Sequence, residues 1–161
     1  YFRENLIKHA AFHNLTKEKI KYYTVLETKK IIQDQLQSSD PIKLLALNSS
    51  VILKDQTTRH LPMFDFHIPC TFDSHSIALQ ISEQLLGKKF ILLDSGKSFH
   101  LYGLSIVTTK ELHNLLHKSL LFSPLVDSRY IAHQLIDGSC KLRLSTSESK
   151  PFPPRIIWVS T

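Results

Sequence analysis

The sequence predicts an α+β fold, in which an antiparallel sheet carries helices on one face and follows a helical N-terminal extension. Of the 161 residues, 42% are hydrophobic and 21% are charged, which is typical of a globular chain rather than a disordered one. All four glycines lie beyond residue 86, whereas residues 1–57 contain none. Beyond residue 60, alternating and amphipathic segments follow one another in the order β-α-β-β-α-α-β, with one further strand at the end.

The first 57 residues are rich in Lys, Glu and Gln and are assigned to the helical N-terminal extension. We expect one helix over Phe2–His13 and another over Leu26–Gln37, which a Ser-Ser-Asp-Pro run ends. A short strand is expected at Val51–Leu53. The chain therefore divides into residues 1–57 and an α+β unit over residues 58–161.

Turn and capping residues separate the predicted elements of the second unit. In order, we expect a strand over His60–Ile68, a helix capped by Asp73 or Ser74 that ends before Gly87, strands over Lys89–Leu93 and Ser98–Val107, a helix after a capping box at Thr108, a helix from Ser128, and strands over Cys140–Ser145 and Ile156–Val159. Thr108 and Glu111 have the spacing of a capping box. This is the ferredoxin-like βαββαβ order, in which the first and third strands are neighbours, the fourth flanks the first, and one face stays uncovered.

The uncovered face collects polar side chains. Alternation along the first strand turns Asp65 and His67 to this face and the intervening phenylalanines toward the helices. The same alternation along the neighbouring strand turns His100 to it. We therefore expect Asp65, His67 and His100 to share one patch. Basic and hydroxyl side chains of the fourth strand lie beside it: Lys141, Arg143 and Ser145.

Two interpretations of this patch stand. A carboxylate and an imidazole two residues apart on a strand can bind a divalent metal, and the imidazole favours Mn, Fe or Zn over Mg. His100 would then be a third ligand or a contact to a phosphate. The other interpretation is a polar outer sheet face that binds nothing.

The hairpin turn Ser95-Gly96-Lys97-Ser98 is a candidate phosphate-binding turn. A glycine turn presents backbone N–H groups, and Lys97 supplies a positive charge. It is not a P-loop, because that motif needs a different glycine spacing and a helix directly after it. The alternative is an ordinary hairpin turn.

Composition limits the compartment and the partners. The chain has 20 Lys and Arg against 14 Asp and Glu, a net charge of +6, which suits anionic partners such as nucleotides and nucleic acid. The two cysteines, Cys70 and Cys140, form no CxxC motif and favour a reducing, cytoplasmic compartment. No apolar run is long enough to cross a membrane, and no leader is evident. Because the first residue is Tyr1, we expect a piece of a longer polypeptide with other domains.

Two segments, Pro62–Pro69 and Leu92–Gly103, resemble the first two motifs of the archaeo-eukaryotic primase (AEP) superfamily. In that superfamily one strand carries two acids spaced two apart, and a later strand carries Ser-x-His. The stretch Pro124–Ser145 is also similar to primase-like domains of large bacterial conflict proteins that act against phage. The resemblance covers residues 60–160 and implies an AEP-type, RRM-like sheet for the unit over 58–161.

The resemblance also implies roles for residues. Asp65 matches the first metal-binding acid, and Ser98 with His100 matches the motif whose histidine contacts the phosphates of the incoming nucleotide. His67 stands where active members have a second acid. Because imidazole is neutral, its presence weakens Mg²⁺ binding more than Mn²⁺ binding. The third acid would be Asp137, with Asp127 as the other candidate.

The candidate site residues follow. The candidate catalytic residues are Asp65, His67 and His100. The candidate phosphate-binding residues are Ser95, Lys97, Ser98, His100 and Arg143. The candidate metal ligands are Asp65, His67 and Asp137, with Asp127 as the other candidate for the third. We expect a primase-like domain, within a larger bacterial defence protein, that binds nucleotide or nucleic acid and is degenerate or altered in its metal. One alternative is an active primase-polymerase that uses Mn²⁺ or Mg²⁺ and a nucleoside triphosphate. A second is a redox-metal site formed by Asp65, His67 and His100.

Overall fold

The computed structural model describes residues 21–37, 45–146 and 150–160. The helix predicted over 2–13 lies outside these residues. The described helices are α1 (Val25–Gln37), α2 (Phe72–Leu86), α3 (Thr109–Ser119), a 3₁₀ turn (Leu120–Phe122) and α4 (Ser128–Asp137). The strands are β1 (Ala46–Asn48), β2 (Ser50–Ile52), β3 (Thr58–His60), β4 (Met63–Asp65), β5 (Phe90–Asp94), β6 (Phe99–Gly103), β7 (Lys141–Arg143) and β8 (Arg155–Ser160).

The main sheet is antiparallel and has the strand order β4-β6-β5-β8. The α+β class with antiparallel sheets is therefore confirmed. The predicted neighbours β4 and β6 do pair, with Asp65 opposite His100 and Phe64 opposite Leu101. Residues directly opposite each other in antiparallel strands point to the same face. The register therefore places Asp65 and His100 side by side on one face.

The strand after α4 has a different partner from the one expected. β7 pairs with β1, with Ala46 opposite Arg143, and does not extend the main sheet beside β4. β2 and β3 form a separate two-stranded pair, and β8 pairs with the far edge of β5. The last part of the segment assigned to a helical extension is thus made of strands that pair with the following unit.

Local signals define the helix ends. The capping box of Thr108 and Glu111 is present as predicted. The cap of α2 lies two or three residues earlier than expected: the side chain of Thr71, and not Asp73 or Ser74, accepts the cap hydrogen bond, from the Ser74 N–H. It ends at Gly87, whose φ of 68° favours glycine. At the start of α4, the carboxylate of Asp127 accepts a hydrogen bond from the backbone N–H of Tyr130.

The helix-facing side of the sheet is the main hydrophobic core. Phe64 and Leu101 are fully buried there, and Phe66 meets Phe99 edge to face at 6.2 Å between ring centroids. The opposite side is not uncovered as predicted, since His100 is only 6% exposed. The reason is that the chain after α4 lies close to this side: the charge of Arg143 in β7 acts on the pKa of His100, and its guanidinium donates to the carbonyl of Ser95. None of the helices in the described part of the chain has the length and hydropathy of a membrane span.

Candidate functional site

A pocket of about 320 Å³ opens at the end of β4, where the β5–β6 turn and the start of α4 meet. Its lining mixes acidic, basic and apolar groups: Asp65, Phe66, His67, Ile68, Pro69, Lys97, Ser98, Asp127 and Lys150. Of the residues predicted for the site, it therefore gathers Asp65, His67, Lys97, Ser98 and Asp127. Lys150 was not predicted.

Main-chain hydrogen bonds bring Asp127 alongside Asp65. The N–H of Asp127 donates to the carbonyl of Asp65 at 2.9 Å, and the N–H of His67 donates to the carbonyl of Leu125 at 2.8 Å. These bonds continue antiparallel pairing past the end of β4, with the residues before α4 as the added partner. The two carboxylates are thus held on adjacent backbone segments.

Asp65 lies in a partly desolvated position, with its side chain 27% exposed. Its Oδ1 accepts a long hydrogen bond from Ser98 Oγ at 3.4 Å and lies 3.8 Å from His100 Nε2. Burial, and next the nearby charge of Asp127, raise the pKa of Asp65 to about 7; Lys150 acts in the opposite direction. Two carboxylates in this environment favour the arrival of a cation, because a cation relieves their repulsion.

His100 lies beneath the pocket and is not among the residues that line it. Burial, followed by the positive charges of Arg143 and Lys150, lowers the pKa of His100 to about 4. The imidazole is therefore neutral at pH 7. Its Nδ1 is buried and has no hydrogen-bond partner among the described residues. A neutral ring can donate a hydrogen bond to Asp65 or to a phosphate, but it brings no charge to the site.

The predicted phosphate-binding residues have different positions. Lys97 is exposed on the pocket wall, whereas Ser95 is buried and its hydroxyl donates to the carbonyl of Ser98 at 3.0 Å, which closes the turn. Arg143 donates its guanidinium hydrogens to backbone carbonyls, including that of Ser95 at 3.0 Å. Lys150 supplies the second positive charge on the pocket wall.

The structure does not bring Asp137 into this pocket. Asp137 is at the far end of the ten-residue helix α4, about 15 Å from Asp127 at the usual helical rise. Its carboxylate pairs with Lys141 Nζ at 3.1 Å. In residues 21–37, 45–146 and 150–160, no group of three or more His, Cys, Asp or Glu side chains could hold a metal ion. The described residues therefore form no three-ligand cluster from Asp65 and His67 with Asp137 or with Asp127, and none from the redox set with His100.

A comparison with protein families shows which family the chain belongs to. Residues 25–153 match AEP-like, a family described as archaeo-eukaryotic primase 1D-like. The chain belongs to this family. The resemblance found in the motifs is thereby confirmed, and the match to AEP-like begins well before residue 60, so that it includes α1 and β1 to β3. Comparisons with curated proteins and with solved structures gave no match.

The donor set of this AEP-like domain fits a cation that arrives with a phosphorylated ligand. Mg²⁺ is commonly bound in proteins through one or two carboxylates together with substrate phosphates, not in an all-protein cage. Asp65 and Asp127 supply two carboxylates, and Lys97 and Lys150 supply charges for phosphates.

Sequence reasoning missed Lys150 and placed Asp127 second to Asp137. Lys150 is a single basic residue beside a Pro-rich segment, and no periodic pattern marks it. Asp127 did carry a signal, because an Asp directly before a helical pattern is a common N-cap. That signal predicts where α4 starts, but not that this start lies against the end of β4.

Proposed function

We propose that this AEP-like domain binds a nucleoside triphosphate together with a divalent cation, Mn²⁺ or Mg²⁺, in the pocket beside Asp65. The observation that carries the proposal is that two carboxylates, Asp65 and Asp127, line the same pocket as two lysines, Lys97 and Lys150. Acidic groups alone would suggest a bare cation site, and lysines alone a phosphate site. A nucleotide with its cation needs both.

Each residue has a defined part in the proposed complex. Asp65 and Asp127 hold the cation, while Lys97 and Lys150 bind phosphate oxygens, with the Ser98 hydroxyl close to Asp65. His100 stays neutral, with its Nε2 3.8 Å from Asp65 Oδ1. A divalent cation bound here would neutralise phosphate charge and activate an attacking hydroxyl.

Nucleic acid is the second expected partner, since the net charge of +6 and membership of a primase family both favour it. The setting in a larger bacterial defence protein belongs to the same proposal and is supported by the resemblance of residues 60–160.

Calorimetric titration with ATP tests the proposal. We expect binding in Mn²⁺ or Mg²⁺, and at least about tenfold weaker binding in EDTA, since the cation contributes more than one charge-assisted contact. Asp65→Asn should remove the benefit of the cation. Asp137→Asn is the matched control, because this acid lies outside the pocket, and its ATP affinity should equal that of the wild type.

Two results would contradict the proposal. The first is equal ATP affinity with cation and with EDTA. The second is a loss of ATP affinity in Asp137→Asn as large as that in Asp65→Asn, which would indicate a cation site at the other end of α4.

Nucleotide transfer is a second candidate function. The observation in its favour is Asp127, which supplies beside Asp65 the second carboxylate that His67 does not. Incubation with Mn²⁺, a primed template and labelled nucleotides tests it. Incorporation that Asp65→Asn abolishes would support transfer, whereas binding without incorporation would restrict the domain to nucleotide binding.

A further inference from the structure

Arg143 makes an unusual set of hydrogen bonds for a residue predicted to contact phosphate. Its Nη2 donates to the carbonyl of Ser95 at 3.0 Å, and its Nη1 donates to the carbonyl of Phe152 at 3.0 Å and to that of Ser145. Arg143 is half-buried, and it is not among the residues that line the pocket. Its donors are thus directed at backbone in three places.

These three carbonyls belong to the segments that carry the two pocket lysines. Ser95 begins the turn that presents Lys97, while Ser145 and Phe152 stand on either side of Lys150 in the sequence. A guanidinium can join such segments because its N–H groups form a rigid planar fork. A lysine ammonium has the same charge but lacks that geometry.

We infer that Arg143 is a positioning residue, which fixes the distance between Lys97 and Lys150 so that both reach one triphosphate. The inference rests on the proposed function. It replaces the direct phosphate contact expected from the sequence, because the hydrogen bonds of the guanidinium go to carbonyls and not into the pocket. It also implies a preference for ATP over AMP, since a chain of three phosphates offers each lysine its own phosphate oxygens.

Titrations of the Arg143→Lys and Arg143→Met variants with ATP and with AMP in Mn²⁺ test this role. If the fork geometry is what matters, both variants should bind ATP about tenfold more weakly, the effect of losing one or two charge-assisted hydrogen bonds. AMP affinity should change less, so that the preference for ATP narrows. Lys150→Met should also lower ATP affinity by a smaller factor in the Arg143→Lys background than in the wild type.

Arg155→Lys is the matched control. Arg155 contacts the same hairpin through Asp94 at 3.8 Å, but its side chain is mostly exposed and lies outside the pocket. Its ATP and AMP affinities should equal those of the wild type. The inference is overturned if Arg143→Lys binds ATP as the wild type does while Arg143→Met does not, because charge alone would then be sufficient.

Hydrogen–deuterium exchange separates this inference from the proposed function. Without nucleotide, Arg143→Lys should speed exchange of the amides in the turn 95–98, whereas Arg155→Lys should not. If the wild type binds no ATP, the proposed function fails and this exchange measurement still judges the positioning role. Unchanged exchange in Arg143→Lys would overturn it.

Discussion

At the scale of single residues, the surroundings of Asp65 change the pKa of its carboxyl group. Burial and the neighbouring Asp127 raise its pKa from an ordinary value of 3.8 to about 7. The folded protein therefore holds this proton more tightly than the unfolded chain does. The stability that results is fully present below about pH 4 and is lost as the pH rises toward about 7.

Replacing Asp65 by Asn should remove this pH-dependent loss. Without cation, we expect Asp65→Asn to raise the free energy of unfolding at pH 8 by an amount on the order of 2 kcal/mol, because the amide does not ionise. At pH 4 the variant should have no such advantage. Urea unfolding at both pH values, with Asp137→Asn as control, measures the difference. An equal effect of Asp65→Asn at pH 4 and pH 8 would show that its carboxyl does not titrate as described.

At the scale of elements, the start of α4 combines a structural role and the proposed binding role in one side chain, Asp127. Asp127 Oδ1 accepts a hydrogen bond from Tyr130 N at 3.0 Å and so caps the helix. Its backbone N–H is bonded to the carbonyl of Asp65, which sets the carboxylate beside the pocket. The two roles can be separated, because serine caps helices about as well as aspartate but has no charge.

We therefore expect Asp127→Ser to keep the helix and lose the cation site. Asp127→Ala should lower the free energy of unfolding by about 1 kcal/mol, the usual cost of losing a cap, while Asp127→Ser should remain close to the wild type. Both variants should lose the cation-dependent part of ATP binding. Thermal or urea unfolding together with ATP titration gives both quantities. If Asp127→Ser binds ATP as tightly as the wild type does, the Asp127 carboxylate is not part of the cation site.

At the scale of the whole molecule, local signals predicted the helices and most strands, but not their partners. They missed β1, and they gave one strand over His60–Ile68 where the structure has β3 and β4 in separate sheets. The capping box before α3, the glycine after α2 and the β5–β6 hairpin each depend on a few adjacent residues, so that spacing alone predicts them. The pairing of β4 with β6 followed from a common strand order. The pairing of β7 with β1 did not, because alternation along a strand does not specify which segment lies beside it.

The same distinction explains which parts of the site could be predicted. Asp65 and Lys97 lie on a strand and a turn of the predicted sheet, and both reach the pocket. Lys150 reaches it through the packing of a distant segment, which Arg143 holds through carbonyl contacts. His100 was predicted on the correct face, but its burial depends on the chain after α4 covering that face. Contacts between segments far apart in sequence carry no periodic signal.

The most direct measurement is a crystal structure of the domain grown with Mn²⁺ and ATP, with anomalous diffraction used to locate the metal. The account predicts an anomalous peak between Asp65 and Asp127, with the phosphates of ATP directed toward Lys97 and Lys150. Bound ATP with the metal at Asp137, or with its phosphates outside this pocket, would contradict it.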